Sequence, residues 1–336
     1  MIRLVSLLII LTLMGFNASK RFGWTKLPAD FPEPRYDLSS NPYNVAILDL
    51  GRNLFYDPRL SANNTISCAS CHSPYNAFAH TDHALSHGLH DSIGFRNAPA
   101  LFNLAWHPTM MWDGAIHHLD VQALSPLTAP NEMGSDLKKV LLKINKDDYY
   151  KQRIKAAFGD TLLHGAQFLK ALAQFQLSLI SDQSRYDSMR RMQVYFTTQE
   201  KNGYHIFKQY CNRCHREPLF STYAFERNGI PFDTVLNDIG RARVSHLEAD
   251  KGLFKIPSLR NTAYTFPYMH DGRYKHLREV IRHYVHQGAI LGKPMPLNSN
   301  EQTDLLAFLR TLNDRHFVFD SSHTFPKALR SELEGY

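Results

Sequence analysis

The sequence predicts a mostly α-helical protein of two related domains packed against each other, and three observations carry that prediction. Apolar residues recur at helical spacing over long stretches, strand-like alternation is sparse, and one motif occurs twice, as Cys68-Ala69-Ser70-Cys71-His72 and Cys211-Asn212-Arg213-Cys214-His215. The pattern C-x-x-C-H marks covalent attachment of c-type haem. Two thiols within one short turn reach the two vinyl groups, and the adjacent imidazole falls under the iron as proximal ligand. These are the only cysteines among 336 residues. Two disulfides or one four-cysteine zinc site would also use them, but neither gives a reason for both histidines. The predicted fold class is therefore mostly α, with two cytochrome c-type haem domains and two covalently bound haem c groups.

In chain order, Met1-Ile2-Arg3, the apolar run Leu4 to Phe16 and then Asn17-Ala18-Ser19-Lys20 have the three regions of a secretory signal, taken as residues 1–19. The apolar run is short for a membrane span, so no stable membrane insertion is expected after cleavage; an uncleaved anchor is the other reading. Export fits the outer-face chemistry of haem attachment and implies a periplasmic protein. Phe22 to Pro42, rich in proline and aromatics, reads as an extended arm. Asn44 to Tyr56 has helical spacing and ends before Asp57-Pro58, because proline disfavours continuing helix. It delivers the chain to the first haem motif. Ser73 to Gly94, rich in His, Gly and Ser, reads as a long loop of the kind that is usually functional. Gly134 to Phe158 and Leu162 to Ile180 read as two amphipathic helices closing a first domain, 20–181.

The second domain, 182–336, opens on a crossover from Ser181 to Phe196. Thr198 to Tyr210 is a helix into the second motif, followed by helices over Leu277 to Gln287 and Ser299 to Leu312. Ser299-Asn300-Glu301-Gln302 has the form of a capping box, with Leu305, Leu306, Leu309 and Leu312 as the apolar stripe. A partial repeat relates the halves. Gly51, Leu54 and Phe55 precede one motif as Gly203, Ile206 and Phe207 precede the other. Arg96-Asn97-Ala98 leads to Met111-Trp112-Asp113-Gly114 as Arg260-Asn261-Thr262 leads to Met269-His270-Asp271-Gly272. Within the M-x-D-G segment, Trp112 and His270 are the one difference between the two copies.

Composition is that of an ordinary soluble globular protein, 43% hydrophobic and 21% charged. The formal charge of +7 comes without any run of five or more Lys/Arg, so nucleic acid is not the expected partner. A diffusely basic surface suits steering of an acidic protein.

The segments LGRNLFYDPRLS, RNAPALFN, WDG, NEMG and IPSLRNTAYTFPYMHDG, with both haem motifs, resemble the di-haem cytochrome c peroxidase family, MauG-like branch, from about Leu50 to Leu312. The resemblance implies an N-terminal haem that handles peroxide, a C-terminal electron-transfer haem, and one calcium ion between the domains. It places His72 and His215 on the irons and Trp112 between the haems as a stepping stone for electrons. It places the distal acid-base pair on Gln122 and Glu132, a carboxylate whose pKa desolvation would raise for proton transfer. Calcium positions fall on Asn97, Thr265 and Pro267, the last two through backbone oxygens, a hard-donor set that suits the ion.

Two departures from the classical peroxidases matter. Their distal methionine on the C-terminal haem is replaced by Tyr284, as in MauG-type members. A phenolate ligand lowers the potential and makes higher oxidation states easier to reach. His283 or His286 ligating in its stead is the other reading. In the loop after the first haem, His83, His87 and His90 are available but none matches the classical gating histidine, which puts reductive gating in doubt. The resemblance thus implies a periplasmic peroxidase that reduces hydrogen peroxide and oxidises a protein partner by long-range electron transfer. The alternatives are a classical peroxidase with a small cytochrome or copper protein as electron donor, and a non-catalytic di-haem carrier.

Overall fold

The computed structural model describes residue 24, residues 27–286 and residues 295–334. The signal region 1–19 and Gln287 lie outside the described residues. The protein is mostly helical, as predicted, and among the described residues no helix is long and apolar enough to cross a membrane.

Helix α1 (Val45–Tyr56) starts at Asn44, whose side chain accepts from the amides of Ala46 and Ile47, and stops where Asp57 turns extended before Pro58. The first haem motif forms α2 (Cys68–Cys71), a single turn. Two short helices follow, α3 (Leu119–Gln122) and α4 (Leu124–Thr128). The helix expected over Gly134–Phe158 is two, α5 (Leu137–Lys146) and α6 (Asp148–Phe158). Asp147 causes the break: it is extended, its carboxylate accepts from the Tyr149 amide at 2.8 Å, and Arg59 holds it from the side at 2.8 Å. A side chain that caps the next helix ends the previous one. Helix α7 (Gly165–Ser178) follows, shorter at both ends than predicted.

The crossover contains a helix not foreseen, α8 (Arg185–Arg190), capped reciprocally by Ser184 and Asp187. Then come α9 (Thr198–Tyr210), the single turn α10 (Ala242–Ser245), α11 (Leu277–His286) and α12 (Ser299–Arg310). The capping box of α12 sits one residue earlier than expected. Asn298 accepts from the amides of Asn300 and Glu301 at 2.9 and 3.1 Å, and Glu301 accepts from the Asn298 amide at 2.8 Å. A two-stranded antiparallel sheet pairs β1 (Phe225–Glu226) with β2 (Phe254–Lys255).

The repeat read from sequence is the packing frame of the molecule. Helix α1 crosses α7 at Gly51, where a Cβ would lie 1.9 Å from the Ala171 carbonyl oxygen; α9 crosses α12 at Gly203, where it would lie 1.9 Å from that of Asp304. Four residues on, Phe55 meets Phe175 with centroids 5.1 Å apart, and Phe207 meets Phe308 at 5.0 Å. Two apolar cores form around these crossings, one including Leu50, Leu54, Phe168 and Phe175, the other Tyr186, Phe220, Leu305 and Phe308. The arm expected near Phe22 to Pro42 does wrap the first core, where Phe31, Tyr36 and Leu38 are buried. The last helices, α13 (Arg315–Val318) and α14 (Lys327–Glu334), return to that same first core through Phe317, Val318 and Leu329.

The WDG and HDG segments adopt the same turn. Met110 bridges Ile116 as Tyr268 bridges Tyr274, and Met111 (φ 66) and Met269 (φ 75) take the left-handed conformation. The arginines of the two RN pairs differ in what they hold: half-buried Arg96 ties the WDG turn through Asp113 and reaches Asp238, whereas fully buried Arg260 pairs with Asp187 and the Pro218 carbonyl, away from the HDG turn.

Candidate active site

In the first motif, Cys68 and Cys71 stand three apart on one helical turn, which makes them neighbours on its surface. Neither is in a disulfide. His72 Nδ1 donates to the Phe78 carbonyl at 2.8 Å, and burial drives its pKa down to about 4. A neutral imidazole tethered through Nδ1 presents Nε2 as a lone-pair donor, the state a metal ligand requires. The second motif repeats this. Cys211 and Cys214 are free thiols, His215 Nδ1 lies 3.2 Å from the carbonyls of both Phe220 and Pro257, and burial again sets the pKa at about 4. Two free thiols and one oriented neutral imidazole in each half fit covalently held haem.

Glu132 is half-buried beside the first motif. Desolvation pushes its carboxyl above the ordinary range, and its charge in turn helps raise the Cys71 thiol. The backbone there is fixed on both sides: the Glu132 amide donates to Ala129 at 3.0 Å and its carbonyl accepts from the Leu89 amide at 2.9 Å. Gly88 makes that contact feasible, since a Cβ would fall 2.0 Å from the Asn131 carbonyl oxygen and 2.6 Å from the Glu132 Cα. The loop Ser73–Gly94 is thus packed against the carboxylate segment. Gln122, at the end of α3, is buried.

The loop histidines divide. His83 stacks on His87 with centroids 4.1 Å apart, His87 Nδ1 pairs with Asp91 at 2.8 Å, and His90 is exposed. His80, passed over in the sequence, is buried, packs edge-on against His83 at 5.3 Å and acts electrostatically on His72. Its signal was only its proximity in sequence to the motif.

Between the motifs, Trp112 Nε1 donates to the Asn97 carbonyl at 2.8 Å, and the Asn97 amide donates to the His270 carbonyl at 2.7 Å. The WDG and HDG turns therefore both hold the backbone of one residue, Asn97. The Trp112 carbonyl accepts from the Lys255 amide at 2.7 Å, which ties the WDG turn to β2. Asn97 is buried; its Nδ2 donates to the Ala84 carbonyl at 3.0 Å, which leaves Oδ1 as an acceptor. Thr265 is half-buried and Pro267 buried. Among the described residues no group of three or more His, Cys, Asp or Glu could hold a metal ion.

At the second motif, Tyr284 is the one of the three candidates in α11 that faces the cysteines. Burial, then the neighbouring Cys211 and Cys214, push its phenol well above the ordinary range. His283 has both ring nitrogens engaged, Nε2 with the Asn228 carbonyl at 2.7 Å and Nδ1 with the Tyr274 hydroxyl at 3.1 Å, and His286 is exposed.

Residues 46–194 match the family model described as di-haem cytochrome c peroxidase. The chain is 33% identical to the methylamine utilization protein MauG of Methylorubrum extorquens, over 85% of this chain and 82% of that one. It is 32% identical to the cytochrome c551 peroxidase of Nitrosomonas europaea, over 81% of each. Among solved structures it is similar to a MauG-like protein associated with microbial copper homeostasis, with TM-score 0.80 and 30% identity, covering 90% of this chain and 99% of that one. Paired haem motifs, a shared helical frame and these relatives together mean that the chain belongs to the di-haem cytochrome c peroxidase family and is a MauG-like haem peroxidase.

Proposed function

We propose that hydrogen peroxide is cleaved at the haem that His72 would hold, with Glu132 as the proton shuttle, and that the protein partner is oxidised at a distance through Trp112 and the second haem. The observation that carries this reading is the half-buried Glu132 carboxyl, raised by desolvation and placed beside Cys71. Haem iron supplies the centre at which the O–O bond breaks and the oxidising equivalents are taken up. The Glu132 carboxylate takes the proton from the near oxygen of peroxide and returns it to the far oxygen, which leaves as water; a raised pKa matches the group to both halves of that task. The Gln122 amide, buried and uncharged, orients peroxide without competing for the proton. Trp112, held by Asn97, supplies an oxidisable indole on the line between the halves.

Tyr284 would hold the iron of the second haem, together with His215. A buried phenol resists ionisation, and the positive charge of iron is what reverses that preference. Asn97 Oδ1 with the carbonyls of Thr265 and Pro267 would hold one calcium ion, a reading supported by the Asn97 side chain, buried with its Nδ2 on the Ala84 carbonyl and its Oδ1 left as a hard-oxygen donor. The secretory pattern in residues 1–19 supports a periplasmic location. The two cores support domains at 20–181 and 182–336, with the last helices packed back on the first.

The test is Glu132→Gln in the haem-loaded protein. Peroxide turnover is expected to fall by roughly two to four orders of magnitude with both haem spectra unchanged; unaltered turnover overturns the assignment. Peroxide added to the diferric protein separates the branches: a long-lived two-haem oxidised state without prior reduction is the MauG-like outcome.

A further inference from the structure

His283 stands next to Tyr284 in α11, yet it cannot ligate iron in this arrangement because both nitrogens are committed. The Asn228 carbonyl can only accept, so Nε2 carries the proton and Nδ1 accepts from the Tyr274 hydroxyl. We infer that His283, clamped between Tyr274 and Asn228, is a positioning residue that holds Tyr284 against the second haem; this rests on the reading of Tyr284 as ligand.

The geometry makes the clamp more than local packing. Tyr274 closes the HDG turn through its bridge to Tyr268, and Asn228 leads out of β1, so the two bonds fix the C-terminal half of α11 to two separate segments. Asn228 Nδ2 also reaches His270 Nδ1 at 3.4 Å. His270 and Trp112 both bond the backbone of Asn97. A chain of polar contacts thus runs from Trp112 through Asn97, His270 and Asn228 to His283. The position of Tyr284 is set from the same frame that sets the tryptophan between the haems. A tyrosine that is to meet iron at one distance needs its helix held in place, and the two bonds of His283 supply that hold.

The experiment compares Tyr274→Phe, His283→Ala and Tyr284→Phe in the haem-loaded diferric protein by electron paramagnetic resonance and by the reduction potential of each haem. Tyr274→Phe keeps the ring and removes one bond. It is expected to lower the ratio of ligated to unligated second haem by roughly two- to tenfold, with a further loss in His283→Ala. The signal and potential of the first haem should stay unchanged, which reports that the fold survives. If Tyr284→Phe alters the second haem but neither clamp variant does, the positioning role is overturned while ligation stands. An unchanged second haem in Tyr284→Phe overturns ligation and the clamp with it. Should His283→Ala fail to fold, Tyr274→Phe alone decides.

Discussion

Replacing Gly203 by alanine tests whether the repeated glycine, rather than the repeated haem motif alone, holds the second half together. An alanine Cβ would sit 1.9 Å from the Asp304 carbonyl oxygen, 2.6 Å from its carbon and 2.8 Å from the Phe308 Cβ. Comfortable carbon contacts lie at about 3.5–4 Å, so α9 and α12 must separate by more than about 1 Å. That loosens Phe207 from Phe308, the centre of the second core. Helix propensity favours alanine by about 1 kcal/mol. Overpacking against rigid backbone costs more, and the net loss should be roughly 2–4 kcal/mol. Thermal unfolding of the haem-loaded protein, followed at the second haem, should show a midpoint lower by roughly 5–15 °C. Gly165→Ala is the control, since its nearest neighbour is the Leu137 Cδ2 at 3.5 Å, an ordinary contact; it should change stability by less than about 1 kcal/mol. A Gly203→Ala protein as stable as the parent would refute the close-crossing argument.

The Glu132 carboxyl, raised by burial, must be ionised to take a proton from peroxide. Peroxide reactivity should therefore rise with pH through a point above the ordinary carboxylate range, and a pH profile of Glu132→Gln should lose that step. The same shift predicts stability that is fully present below the unfolded pKa and lost as pH rises through the folded one, so denaturant midpoints of Glu132→Gln should lack that decline. Asp187→Ala leaves the fully buried Arg260 guanidinium without its two carboxylate bonds of 2.8 and 2.7 Å; a loss of roughly 3–5 kcal/mol is expected in chemical unfolding. Trp112→Phe removes the donor to Asn97 and the oxidisable ring together. Each haem should keep its ground-state absorbance, while peroxide added to the first should no longer change the spectrum of the second.

Much of this was legible in the sequence because it is local or repeated. The two CxxCH motifs are single turns, α1 is bounded by Asn44 and Pro58, and the Gly-to-Phe spacing recurs in both helix crossings. What was misread depends on competition between neighbours. Asp147 could have lain within one long helix, but an Arg59 distant in sequence fixes its carboxylate in a capping position. Asn298 outcompetes Ser299 for the first orphan amides of α12. His80 and the return of α13 and α14 to the first core follow from packing between segments far apart in the chain, for which no periodicity gives a signal. Among the site residues, the distinction between His283 and Tyr284 lay beyond reading. Both are ring-bearing neighbours on one helix, and only the partners Tyr274 and Asn228 show which is strut and which faces the cysteines.

Divergence at Trp112 and His270 within a shared turn would let two similar halves take unequal tasks. Trp112 and His270 occupy the same place in the same turn, each after a left-handed methionine. Symmetric residues there would give two equivalent routes. Instead, the indole N–H takes the Asn97 carbonyl, whereas His270 gives only its backbone carbonyl to the Asn97 amide and stacks its ring on Phe254 at 3.7 Å. The oxidisable ring is thus contributed by the first half alone, the half that also carries Gln122 and Glu132. The second half spends its equivalent residue on the contact with Asn228 that leads to Tyr284. Exchanging the two, as Trp112→His with His270→Trp, should leave the turn geometry intact, because both side chains leave the same backbone. It should nevertheless abolish spectral communication between the haems, and a swapped protein that kept it would show that the direction of transfer is set elsewhere.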